Sequence, residues 1–259
     1  MFGVASLLCR LGLRWRMNAL QSSYSVSHFM ATLSYLRPNG DGIKLVEYSS
    51  DPVLTLGATM IWYGCPMGLS EFILPEFTRL FVKEELDVAT VNESAACIVL
   101  LLAMDTCVVI ETNSSNHMSC SFMGQFLSVD LFLKVLGGHD PPLMTMFSTQ
   151  IPEQNQRLYN ALEIWRSRWA DWKLGFCHFI QLTREPNEYT LWYLLGRRAA
   201  GIFAHEQNEV DLIIPIFRES EVSMILIQVE GTKDRGGDCP EEDIQLMDPF
   251  WEPVEVKEA

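Results

Sequence analysis

Two short apolar segments decide the fold: Val210-Asp-Leu-Ile-Ile-Pro-Ile-Phe217 and Val222-Ser-Met-Ile-Leu-Ile-Gln-Val229. Both are rich in isoleucine and valine and have charged residues on either side, a pattern typical of buried strands. Only Arg218-Glu-Ser-Glu221 lies between the end of the first and the start of the second, which is the length of a tight hairpin loop. The two segments therefore predict an antiparallel hairpin.

The register of this hairpin determines which polar side chains meet. If Phe217 pairs with Val222, then Asp211 lies opposite Gln228, and directly opposed residues share a sheet face. Glu230 returns to that face two residues later. We therefore expect Asp211, Gln228 and Glu230 to gather at one end of the hairpin, at the rim of an apolar sheet. A slip of one residue would scatter them.

Most of the chain before the hairpin has helical patterns. The sequence pattern changes after Gly175, where we expect a short strand, a helix and a further strand before the hairpin. We expect an α+β fold in which a mostly helical region, 1–173, packs with a small mixed or antiparallel sheet, 174–230, and an acidic, disordered tail follows, 231–259. The helices are predicted at 7–20, 52–63, 84–110, 122–136, 154–173 and 187–198.

Composition excludes several classes of protein. With 259 residues, 48% of them hydrophobic, the chain is neither disordered nor a disulfide miniprotein. Its net charge is −14, and on average the chain lacks the basic footprint typical of DNA or RNA binders, so the case for a nucleic-acid partner is weak. Local basic patches around Arg197 and Arg198, or around Arg166, Arg168 and Lys173, stay an alternative to ordinary solvated helix faces.

Compartment is indicated by the cysteines and by the N-terminus. Seven cysteines without metal-binding spacing predict reduced, buried thiols in an intracellular protein, either nuclear or cytoplasmic. The first 20 residues are basic and free of acids, as in a mitochondrial presequence, but a buried first helix is the preferred interpretation. The longest apolar run, 95–110, is interrupted by Asp105, which predicts a buried helix and no membrane association.

Five segments together resemble a family of large, mostly uncharacterised fungal proteins. Asn208–Ile216 and Ser223–Val229 are similar to that family's "VDLIIPI … SAILIQVKN". Upstream, Leu8–Leu13 is similar to "LLCRLGL", Tyr48–Leu54 to "SPSEPLL", and Asn92–Ala103 to "GELVARLLLLLA". Members are usually longer, so this chain resembles a shortened copy. The family's hairpin has the outline of a PD-(D/E)XK, or restriction-endonuclease-like, core.

The resemblance implies roles for four residues. Asp211 takes the place of the strand-two acid, Gln228 opens the strand-three motif, and Glu93 is a candidate for the helical acid. In such cores the acids hold Mg²⁺ and a lysine helps to orient the attacking water. Here Glu230 stands at the lysine position. The implied protein is a degenerate, catalytically inactive nuclease-like domain, although Asp211 and Glu230 could still share a metal.

Two alternatives stay open. The chain could be an active nuclease, for which Mg²⁺ would be the cofactor; no other cofactor is implied. It could instead be a helical module that binds a protein partner through a tryptophan face formed by Trp165, Trp169 and Trp172.

His178 lies among apolar residues, which predicts a satisfied core histidine and no acid–base role. The partner and the biological role are not indicated by the sequence.

Overall fold

The computed structural model describes residues 2–17, 25, 31–34, 44–48, 52–64, 68–87, 91–112, 124–137, 164, 167–203 and 210–229. These residues form a mixed α+β fold. The helices are α1 (Phe2–Leu11), α2 (Pro52–Tyr63), a π-helix (Gly68–Ile73), α3 (Leu74–Val82), α4 (Val91–Thr112), α5 (Val129–Leu136) and α6 (Glu188–Arg197). The strands are β1 (Arg14–Met17), β2 (Ala31–Ser34), β3 (Lys44–Tyr48), β4 (Leu86–Asp87), β5 (Leu127–Ser128), β6 (Lys173–Leu174), β7 (His178–Leu182), β8 (Ala199–Phe203), β9 (Leu212–Arg218) and β10 (Glu221–Ile227).

The predicted hairpin forms, and its register is confirmed. β9 and β10 are antiparallel, with Phe217 opposite Val222 and Ile213 opposite Leu226. A two-residue loop joins them, and its first residue, Glu219, has φ 52°, the left-handed conformation common in tight hairpins.

A six-stranded sheet is built around β9. β10 pairs with one edge of β9 along its whole length, so β8 and β6 share the other edge, β8 near the start of β9 and β6 near its end. β5 adds to β6, and β7 runs parallel to β8 with α6 as the crossover helix. Pro215 lies between the stretches of β9 that pair with β8 and with β6, where a missing N–H removes no ladder bond.

α6 shows how local chemistry sets the ends of an element. The side chain of Asn187 accepts a hydrogen bond from the Thr190 N–H at 2.9 Å, which caps the first turn. Arg198 ends the helix in the left-handed conformation with φ 53°. The predicted helix over 187–198 is confirmed within the usual uncertainty of helix ends.

One large apolar core joins the helices to the six-stranded sheet. It includes Leu7 of α1, Met104 of α4 and Ile214 of β9, all of them fully buried. A smaller cluster lies beneath α6, where Leu191 and Leu194 contact the opposite face of the sheet through Ile213. Residues predicted as separate helical and sheet regions therefore share their interior.

Several boundaries differ from the expectations. The helix predicted over 7–20 ends at Leu11, and β1 follows it. The region 1–173, expected to be mostly helical, also contains a four-stranded sheet in the order β2-β3-β1-β4. β5 and β6 extend the C-terminal sheet into that region, so Trp172 and Lys173 are not helical. These strands have two to five residues, too short for a clear alternating pattern. The predicted tail, 231–259, lies outside the described residues.

Candidate functional site

Asp211 links the neighbouring strands at the end of the hairpin that lies away from its loop. One carboxylate oxygen, Oδ2, accepts a hydrogen bond from the Val229 N–H at 2.6 Å. The Asp211 N–H donates to the Ile227 carbonyl at 3.1 Å, and the Asp211 carbonyl accepts from the Phe203 N–H at 2.9 Å. Asp211 thereby connects β8, β9 and β10 at a point where regular pairing stops. Its observed contacts are structural.

Two of the three residues in the predicted polar group, Asp211 and Gln228, lie among the described residues. The confirmed register ends at Leu212 opposite Ile227, so Asp211 and Gln228 are the next residues along the two strands. Because the Asp211 N–H donates to the Ile227 carbonyl, regular pairing does not continue to these two residues, and their direct opposition stays a prediction. Glu230, the third member, lies outside the described residues. Within the described part of the chain, no group of three or more His, Cys, Asp or Glu side chains is arranged to hold a metal ion.

Glu93 belongs to a helix with other main neighbours. It is 5% exposed in the first turn of α4, and α4 packs chiefly against α5 and α1. Burial raises the pKa of the Cys97 thiol, and the negative charge of Glu93, one turn earlier in the helix, raises it further. Among the described helices, α6 packs directly against β8, β9 and β10, on the face of the sheet opposite the main core. The role of Glu93 as the helical acid remains a prediction.

Sequence reasoning overlooked an acid at the same end of the sheet as Asp211. β7 and β8 end there, β9 begins there, and α6 starts there because it must return from the end of β7 to the start of β8. Glu188, in the first turn of α6, is exposed at this end. A strand–helix–strand pattern over 178–203 was the available signal, because the crossover helix of a parallel pair begins where the first strand ends.

A cavity of about 390 Å³ opens at the opposite end of the hairpin. It is lined by Asp171, Lys173, Phe217, Arg218 and Glu219. Arg218 pairs with Glu221 at 2.6 Å, and its guanidinium lies 5.2 Å from the Trp172 ring centroid. Two cations and two carboxylates line the cavity, so its charges balance and favour neither an anionic nor a cationic ligand.

Among the described residues, the most deeply buried charges form a network that joins α1, α2, α4 and the segment before β7. Arg10 donates to both carboxylate oxygens of Asp105, at 2.8 and 3.1 Å, and to the Cys177 carbonyl at 3.0 Å. The Tyr63 hydroxyl donates to Asp105 at 2.8 Å. Burial and the adjacent Asp105 carboxylate raise the pKa of Tyr63. The guanidinium also lies 4.1 Å from the Trp62 ring centroid. Such a network orients helices around the core.

Cys177 and His178 are adjacent but lack access to a substrate. Both are fully buried, and Cys177 Sγ lies 3.5 Å from His178 Nδ1. Burial raises the pKa of the Cys177 thiol, although Thr55, 3.1 Å away, opposes the shift. A protonated thiol without solvent contact is a poor nucleophile. His178 is a core residue, as predicted.

The tryptophan face proposed for a protein partner is not exposed. Trp169 and Trp172 are 6% and 4% exposed, and their rings pack edge-to-face at 6.3 Å. Trp165 lies outside the described residues. The prediction of a binding face formed by these side chains is therefore wrong for Trp169 and Trp172, because the core contains them.

α4 is long and apolar enough to cross a membrane by length and composition, and most of that stretch is buried in the fold. Asp105 lies within it and is neutralised by Arg10. This agrees with the expectation of a buried helix.

Comparisons of the chain with protein-family models, with curated proteins and with solved structures found no match. The chemistry open to this chain is therefore argued from its own residues. At the Asp211 end, the described side chains offer carboxylate and amide oxygens, which suit a hard cation or a hydrogen-bond donor.

Proposed function

We propose that this chain is a degenerate PD-(D/E)XK nuclease-like domain that does not cleave nucleic acid. The observation that carries the proposal is the hairpin register, in which Leu212 lies opposite Ile227, so that an acid directly before β9 and a glutamine directly after β10 flank the same end of the hairpin. β8, β9 and β10 are consecutive antiparallel strands, so Asp211 and Gln228 adjoin two neighbouring strands, which supports the strand-two and strand-three roles that the resemblance implies. The fungal family resemblance supplies the nuclease ancestry.

Two features support the loss of catalysis. The Asp211 carboxylate already accepts a short hydrogen bond from the Val229 N–H, so metal binding through Oδ2 would compete with hairpin closure. Glu230 stands where the family has lysine. A glutamate there removes the group that orients water and adds negative charge near the phosphodiester.

The test is a cleavage assay with supercoiled and single-stranded DNA in the presence of Mg²⁺ or Mn²⁺. We expect the native chain to cut no faster than a protein-free control, and Glu230→Lys to recover weak cleavage if the rest of the site persists. Robust cutting by the native chain that disappears in Asp211→Ala would overturn the inactive assignment. Calorimetric titration with Mn²⁺, compared with Asp211→Asn, reports metal binding separately from cleavage.

The same aspartate provides a structural test. Asp211→Ala removes the acceptor for the Val229 N–H, and we expect the free energy of unfolding to fall by about 1–2 kcal/mol. Asp211→Asn keeps an acceptor oxygen and should lose roughly half as much. Urea denaturation measures both variants. Equal stability of all three proteins would show that the hydrogen bond does not close the hairpin.

A further inference from the structure

The outer edge of β10 carries hydrogen-bonding groups that pair with no strand among the described residues. The two-residue loop makes Arg218 and Glu221 the closing hydrogen-bonded pair. Glu221 and every second residue after it therefore direct their backbone N–H and C=O groups towards β9. The Ile227 carbonyl indeed accepts from the Asp211 N–H. By alternation, Val222, Met224 and Leu226 direct their N–H and C=O groups away from β9.

This edge lacks the features that usually prevent strand addition. From Val222 to Val229 there is no charged residue, proline or glycine, and the pairing with β9 continues without a bulge. The only charge on the strand is Glu221, which is paired with Arg218. An uncharged edge without a bulge accepts an extended strand that is apolar on both faces.

We propose that the occupant is β10 of a second copy of this chain, so that two copies join their sheets into one. A two-fold axis perpendicular to the sheet at Ile225 pairs Met224 with Leu226 of the other copy. These are outward-facing residues, so each bonds the other through backbone groups. Ser223 then lies opposite Ile227.

The two-fold symmetry also places equivalent apolar faces side by side and keeps the Glu221 side chains of the two copies apart. Met224 and Leu226 belong to the face that packs beneath α6, and Ile225 and Ile227 to the face on the main core. An axis perpendicular to the sheet keeps each face on its own side, so both apolar layers continue across the junction. Glu221 lies opposite Val229, which avoids a like-charge pair at the junction.

The inference is independent of the proposed nuclease ancestry, because it rests on the strand edge alone. Each copy carries a net charge of −14, so long-range repulsion opposes association while the interface itself is uncharged. Dimerisation should therefore strengthen with salt, which screens the repulsion. An interface held by ion pairs would weaken instead.

The test is sedimentation equilibrium from about 1 to about 100 µM protein, at about 0.05 and about 0.5 M NaCl. We expect the mass to rise from 29.5 kDa towards twice that value, and at lower protein concentration in high salt. A single 29.5 kDa species throughout, or a dimer that dissociates in high salt, would overturn the proposal.

Met224→Pro and Met224→Ala form a matched pair of variants. Both remove the methionine side chain, but only proline removes the outward N–H and obstructs the approaching strand. We expect Met224→Pro to be monomeric and Met224→Ala to dimerise like the native chain. A Met224→Pro dimer would show that another surface mediates association.

Two additional measurements keep the result decisive. If Met224→Pro fails to fold by circular dichroism, Ser223→Lys places a charge on the edge and should also give a monomer. Hydrogen exchange should show that the N–H groups of Val222, Met224 and Leu226 are protected in the dimer and exchange freely in the monomer. Protection of these amides in a monomer would mean that the chain covers its own edge and would refute the dimer.

Discussion

Asp105 accepts hydrogen bonds from both Arg10 and Tyr63 while it is 1% exposed. Removing an aspartate and an arginine from water is costly, and the cost is offset only when the geometry is good and the remaining groups are satisfied. Both conditions hold here, since the Arg10 guanidinium donates three hydrogen bonds, two to Asp105 and one to the Cys177 carbonyl. Removing either partner therefore affects stability far more than the pair itself contributes.

Asp105→Ala should lower the free energy of unfolding by about 3–5 kcal/mol, because Arg10 would remain buried without a counter-charge. Chemical denaturation measures this loss. The double variant Arg10→Met/Asp105→Leu should recover most of it. Glu76→Ala is the control, since it breaks an exposed pair with Arg79 and should change stability little. A small loss in Asp105→Ala would contradict the buried network.

Cys107 should resist alkylation in the folded chain. Burial, reinforced by the carboxylate of Glu111, raises the pKa of its thiol to about 12. Because the reactive form is the thiolate, raising the pH to about 9 should activate an ordinary cysteine but not Cys107. Iodoacetamide labelling followed by mass spectrometry tests this, with denatured protein as the positive control. Rapid modification of Cys107 in folded protein at that pH would contradict the prediction.

At the scale of elements, two glycines of similar appearance in the sequence have opposite requirements. Gly12 follows α1 with φ 64°, and a Cβ there would lie 2.4 Å from the Phe179 carbonyl oxygen of β7. Gly57 lies inside α2, exposed, with no atom within 4 Å of the Cβ position. The first glycine permits α1 to approach the sheet backbone, whereas the second makes no contact that needs it.

Gly12→Ala should therefore destabilise the chain by more than about 2 kcal/mol, through backbone strain and the clash with β7. Gly57→Ala should stabilise it by about 0.5–1 kcal/mol, because alanine has the higher helix propensity. Thermal unfolding of the two variants side by side provides the comparison. Similar effects of the same sign would show that α1 does not approach β7 as closely as described.

On the scale of the whole molecule, the continuous core predicts cooperative unfolding. Helices α1 and α4 and strand β9 bury side chains in one cluster, and the Arg10–Asp105 pair lies among the same elements. We expect a single transition by fluorescence and by circular dichroism, with coincident midpoints. A fragment limited to 167–229 should show no cooperative transition, because it lacks the helices that cover its sheet. A folded fragment would instead establish an independent C-terminal domain.

Local patterns predicted the elements whose signals lie within a few neighbouring residues. The β9–β10 register followed from segment lengths, and a helix was predicted over 187–198, where α6 lies. The sheet of β1 to β4 was missed because its strands are short and pair across distant parts of the chain. For the candidate site, the nearness of Asp211 and Gln228 at one end of the hairpin was predictable from the register, but the hydrogen bond of Asp211 with the Val229 N–H required coordinates.

The sequence alone determined the hairpin, its register and the acidic, nonbasic character of the molecule, because alternation, loop length and net charge are properties of neighbouring residues or of simple sums. Only the tertiary structure decided that Arg10 meets Asp105 across 95 positions, that Trp169 and Trp172 face the core, and that β10 is left with an unpaired edge among the described residues. These outcomes depend on which surfaces exclude water together, and that is a property of the packed chain as a whole.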